Sequence, residues 1–161
     1  MQRKKEEELI QDIRTIKNKL ISREPKPFGV KDIIHSIFGS LIFGLTFALK
    51  GLLVEVAIML TTLQQILIVI STLVILTFEI YFIGYKKVRA KEERKFLQFW
   101  LKRLVTFYLV AILVSFFIIY IYGIHNLVGN GNNLLKLVVV VSMPSAVGAG
   151  LADLAKRYRY G

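Results

Sequence analysis

"ILIVISTLVILTFEIYFIGYKK" (Ile66–Lys87) opens with residues Ile66–Tyr85, which carry one charge, and closes on two lysines. As an α-helix, twenty residues rise about 30 Å, the thickness of a bilayer's hydrocarbon core. The stretch predicts a membrane-spanning helix that stops at an aqueous surface. Three more segments of the same character lie around it, residues 33–60, 104–124 and 134–154. The chain of 161 residues is 55% hydrophobic, with a mean hydropathy of +0.57. A soluble domain of this size breaks its apolar runs with charge more often. The predicted fold class is an all-α membrane protein with four transmembrane helices.

The charge pattern gives the topology. Of 22 Lys and Arg, nine lie in residues 1–32, eight in 86–103 and three in 156–159, leaving only Lys50 and Lys136. If four helices cross the membrane, these three segments share one face. Such positive-inside asymmetry predicts a multi-pass protein of the cell membrane with both termini cytoplasmic. It also predicts attraction to anionic lipid at that face. The net charge of +11 is clustered at helix ends, so no nucleic-acid partner is expected. There is no cysteine, which excludes disulfides and thiolate metal sites. The first 32 residues hold no signal-peptide core, so the first span is expected to target the chain.

Residues 1–24 predict a cytoplasmic amphipathic helix, since Leu9, Ile13, Ile16 and Leu20 recur at helical spacing between charges. Residues 25–32 form a linker, because the prolines of "EPKPFG" cannot continue a helix. The transmembrane domain is then 33–155, with the basic loop 86–103 between its second and third spans. Asp32 is a candidate N-cap for the first span. That span, 33–60, would be about 42 Å long as one helix, more than the core thickness. Either it tilts, or it bends near Gly51 into a short helix at the outer surface, which is the reading preferred here. "TTLQQ" (Thr61–Gln65) is expected as an outer turn and "HNLVGNGNN" (His125–Asn133) as an outer loop. Phe96, Leu97, Trp100 and Leu101 predict an interfacial helix.

Glu79 is flanked by uncharged residues from Thr72 to Phe78 and from Ile80 to Tyr85. An acid in a span costs roughly 2.5–3.5 kcal/mol on insertion scales, so it is expected to face protein or water. It marks either an ion or proton site or a hydrogen bond between helices. Matching depth at 1.5 Å per residue sets it level with Ser40, Tyr108 and the Pro144–Gly148 region, which includes Ser145. These are the ion-path candidates. Lys50 and Glu55 are candidates for an outer vestibule, His35 and Asp153 for the inner end. Asp153 is expected to pair with Lys156, Arg157 or a base of the inner loop. Ser36, Ser40, Gly44 and Ala48 form one small-residue line, and Ser142, Ala146 and Gly150 another, as close helix packing requires. Pro144 frees a backbone carbonyl in the fourth span. No nucleotide loop, HExxH or GxSxG is present. No enzyme activity, cofactor or metal is expected.

"FGSLIFGLTFALKGLLVEVA" (Phe38–Ala57) and "MPSAVGAGLAD" (Met143–Asp153) resemble a prokaryotic multi-spanning integral-membrane family of unknown function. The shared features are a Gly-rich first span followed by an acid, here Glu55, and a last span with Pro144, Gly148 and Asp153. The resemblance covers about residues 30–155. It implies a compact helical membrane unit and supplies no activity.

Two functions are compatible with these residues. One is an oligomeric ion channel or ion/proton translocation path for a monovalent cation or proton, with Glu79 as its intramembrane acid and a homo-oligomer forming the path. The alternative is a non-transporting membrane anchor or assembly protein that binds a cytoplasmic partner or anionic lipid through its basic inner face.

Overall fold

The computed structural model describes residues 9–16, 28–81 and 96–159, all helical apart from short connections. Helix α1 covers residues 9–16. It is followed by α2 (Val30–Ala48), α3 (Leu52–Met59), α4 (Thr62–Glu79), α5 (Phe96–Ile121), α6 (His125–Val128) and α7 (Gly131–Arg159). Four helices are long and apolar enough to cross a membrane: Val30–Ala48, Thr62–Glu79, Trp100–Ile121 and Gly131–Asp153. The end of the bundle that carries Phe28, Glu79, Arg103 and Asp153 is called inner below. Large apolar side chains such as Phe38, Ile42, Ile66, Leu113 and Phe117 point outward on these helices. In water such a surface would aggregate, whereas in hydrocarbon it is matched to its solvent.

Helix α7 is the centre of the bundle and touches α2, α5, α4 and α3. Its sequence explains why. Ser142, Ser145, Ala146, Gly148, Ala149 and Gly150 are all buried, and small residues around a helix let neighbours approach from several directions. The closest approach is to α2. A Cβ at Gly39 would fall on the Gly148 carbonyl oxygen, and one at Gly148 would fall on that of Gly39. The line Ser36, Ser40, Gly44 and Ala48 is buried on the same face of α2. The crossing point itself, Gly39, lies outside that spacing of four.

The segment 33–60 divides into α2 and α3 at the bend preferred from the sequence, because α2 closes at Leu49 and the chain turns through Lys50 and Gly51. Several other element boundaries differ from those expected. Asp32 is the third residue of α2, not its N-cap; its carboxylate accepts the Gly29 N–H at 2.7 Å, the reciprocal half of a capping box. "TTLQQ" is not a free turn. Thr61 caps α4, accepting the Gln64 N–H at 3.4 Å, while Gln64 Oε1 accepts the Thr61 N–H at 2.9 Å. The second span therefore starts before the expected Ile66. Phe96–Leu101 continue into α5 as one helix, since nothing in "FLQFWLKRLV" breaks it. Part of the outer loop folds as α6, and Gly123 and Gly129 turn the chain at φ 66° and 68°, the left-handed region that favours glycine. Leu20 and the charged part of the inner loop, residues 82–95, lie outside the described residues.

Candidate functional site

The buried charged groups lie toward the inner end of the bundle, and its outer half is packed mostly with apolar side chains. Val110, Val114, Ile118, Ile119, Leu137, Val138 and Val141 form a continuous buried cluster toward the outer end. On α5 the buried Ser115 lies within this stretch, between Val114 and Ile118.

Glu79 ends α4 and turns its carboxylate toward α7. A Cβ at Gly150 would collide with Glu79 Oε2 and come within 3.0 Å of the carboxyl carbon. Glycine at 150 therefore makes the space that the acid occupies. Glu79 as a whole is half-buried. Its Oε2 is buried without a hydrogen-bond partner. A buried oxygen left in this way is costly and calls for an explanation.

One turn further along α7, Asp153 meets Arg103 of α5. Arg103 Nη1 donates to Asp153 Oδ2 at 2.5 Å, with both side chains almost fully buried. Arg103 is the last base of the segment 86–103. The Phe28 ring covers the guanidinium at 5.0 Å and meets Phe107 edge-on at 5.9 Å between centroids. A buried pair holds only when its remaining groups are also served. Here a cation–π contact serves the arginine face. Phe28, two residues before α2, is thereby tied to α5.

Nearer the membrane centre, three hydroxyls from three helices converge. Ser40 of α2 donates to the Ser145 carbonyl at 2.9 Å, and Ser115 of α5 donates to Ser145 Oγ at 3.0 Å. All three residues are fully buried. A Cβ at Gly44 would strike Ser145 Oγ, so a second glycine makes room for the cluster. Tyr108 is half-buried beside Ser142. Pro144 lies within α7, which runs on through it.

Of the ion-path candidates, Ser40 and Ser145 thus meet between α2 and α7, while Tyr108 packs beside Ser142 among residues of α4, α5 and α7. Glu79 stands deeper toward the inner end than the level expected, against Gly150. His35 is exposed, and its Nδ1 bonds the Lys31 carbonyl at 2.5 Å. It therefore meets neither Glu79 nor Asp153. Lys50 and Glu55 are exposed at the outer end, and the Lys50 ammonium lies 5.7 Å from the Phe47 ring centre. Among the described residues, no three His, Cys, Asp or Glu come together as metal ligands do.

Four participants escaped the sequence reading. Ser115 is an isolated hydroxyl amid "AILVSFFII", a visible signal at mid-span. Gly39 is one residue from the small-residue line. Phe28 sits in the linker and gave no signal. Lys136 donates to the Leu60 carbonyl at 2.8 Å, so one of the two bases outside the inner segments closes the C-terminus of α3.

The chain belongs to the family DUF2391, described as an integral membrane protein of unknown function, whose model matches residues 2–155. The match reaches beyond the residues 30–155 of the resemblance and takes in α1. No curated protein and no solved structure matches the chain.

Proposed function

We propose that the protein moves a proton or a monovalent cation, with Glu79 as the group that takes it up from the inner side. The observation that carries this reading is the partnerless Oε2 of Glu79, buried where Gly150 leaves space for it. A proton or a small cation neutralises a carboxylate in such a place, and intramembrane acids of this kind mark ion pathways. The hydroxyls of Tyr108, Ser142 and Ser145 continue the polar layer from Glu79 toward mid-membrane. The apolar outer half closes a single bundle, so the path outward lies between copies in a homo-oligomer or opens when α4 shifts. Helix α4 is suited to either, since only Thr72 and Leu76 of its residues are buried.

In this reading the basic segments are cytoplasmic, held there by anionic lipid, and the bilayer is the cell membrane. The protein carries out no catalysis, holds no cofactor and binds no nucleic acid. Flux of protons and monovalent cations in liposomes, with wild type beside Glu79→Gln and Glu79→Asp, tests it. Flux that Glu79→Gln abolishes and Glu79→Asp partly keeps is the expected result. Absence of flux from the folded wild type under all gradients overturns it.

A second reading, an anchor that binds a cytoplasmic partner, is favoured by α1. Its apolar residues Leu9, Ile13 and Ile16 are all more than half exposed. Removal of residues 1–24 is expected to abolish capture of such a partner; capture that survives the deletion counts against α1 as the binding element.

A further inference from the structure

Helices α4 and α5 are consecutive spans, yet they touch only lightly, because α4 leans on α7 instead. Between them lies an open groove of about 620 Å³, within the size range of sites that hold small molecules. One wall is a face of α4. Ile70, Val74, Phe78 and Tyr81 line the groove at spacings of four, four and three, and each is about half exposed. The opposite wall is Trp100 and Leu104 of α5. The polar atoms in these walls are mostly served from within. Trp100 Nε1 donates to Thr77 Oγ1 at 3.0 Å, and Thr77 donates to the carbonyl one turn earlier at 2.7 Å. What enters the groove therefore meets hydrocarbon.

We infer that this groove is a binding site for one acyl chain of an anionic phospholipid in the inner leaflet. Three observations select that occupant. The face from Ile70 to Tyr81 is about 16 Å long, half of a ~30 Å hydrocarbon core and so the depth of one leaflet. The inner end is marked by Tyr81 and Trp100, the aromatic residues that settle at headgroup level. The connection between these two helices, residues 80–95, also carries six Lys and Arg against two acids, and Lys102 at the start of the α5 span is exposed. This charge complements an anionic headgroup. The inference deepens the anionic-lipid part of the proposed reading and is independent of the role of Glu79.

Trp100 is the sole tryptophan of the chain, so the site reports its own occupancy. The full-length protein is placed in vesicles of phosphatidylcholine containing a fixed fraction of either phosphatidylglycerol or phosphatidylcholine brominated on the acyl chain, and quenching of Trp100 is read. The expected result is a roughly five-fold preference for the brominated anionic lipid, equivalent to about 1 kcal/mol for one base near the surface. The preference shrinks as salt is raised. Val74→Phe fills the groove from a side chain outside the core, and it is expected to reduce quenching by both lipids. Ile70→Phe serves equally if Val74→Phe fails to fold. Equal quenching by the two lipids, unaltered by either groove-filling variant, overturns the proposal. So does quenching that falls as the ratio of protein to lipid rises, which would identify a second copy as the occupant.

Discussion

At Glu79 and Gly150 the size of one side chain decides what the neighbouring one does. Gly150→Ala puts a methyl where the Glu79 carboxylate lies. The colliding atoms are the end of a flexible side chain, so the acid swings away at little cost. The variant is expected to keep its unfolding midpoint in detergent and to lose transport as Glu79→Gln does. Gly39→Ala presents the opposite case. Its methyl meets the Gly148 backbone, which cannot move without parting α2 from α7. A loss of about 1–3 kcal/mol is expected, the usual cost of overpacking. Gly131→Ala has open space around it and is expected not to destabilise. Asp153→Ala leaves Arg103 charged and buried, at an expected cost of about 3–5 kcal/mol. Arg103→Met combined with Asp153→Leu should cost much less, and denaturant midpoints of the single and double variants check this. Glu79 and Asp153 were legible as residues because charge inside an apolar run is visible from the sequence alone. Their partners were less so. Gly150 belonged to a packing line, and nothing in its spacing said that it would receive a carboxylate.

Among the elements, the spans were legible because hydrocarbon thickness imposes a length on them. Their ends were not, because caps are local hydrogen bonds that hydropathy does not register. The Thr61–Gln64 box begins α4 four residues before Ile66. Thr61→Ala is expected to cost about 1 kcal/mol through loss of this cap. Helix α3 offers a sharper test. Its last carbonyl is held by the Lys136 ammonium, where a cation also complements the helix dipole. Lys136→Met removes a charged hydrogen bond worth about 1.5–3 kcal/mol. Amide exchange in residues 52–60 should then quicken by roughly ten-fold or more, with α7 unchanged. Exchange that stays the same would mean that packing of Ala57, not Lys136, fixes α3.

For the molecule as a whole, the last span organises the rest. Helix α7 combines small residues, a buried acid and contacts to five other helices, and the polar layer follows it from Ser142 to Asp153. The sequence made the layers of this arrangement readable, since small residues and charge sort by depth. It did not reveal which helices pair, because small-residue lines on α2 and α7 are equally compatible with contacts between copies. The proposed function rests on Glu79 reaching water from the basic side and being shut from the other. The chain contains no cysteine, so a single Glu79→Cys variant gives a clean probe. Its reaction with a membrane-impermeant thiol reagent, added to either face of sealed vesicles, is the most direct measurement, with Ala155→Cys and Asn132→Cys as controls for the two sides. The account predicts that Glu79→Cys is labelled from the Ala155 side and spared from the Asn132 side. Labelling from the Asn132 side, or from neither side while both controls react, would contradict it.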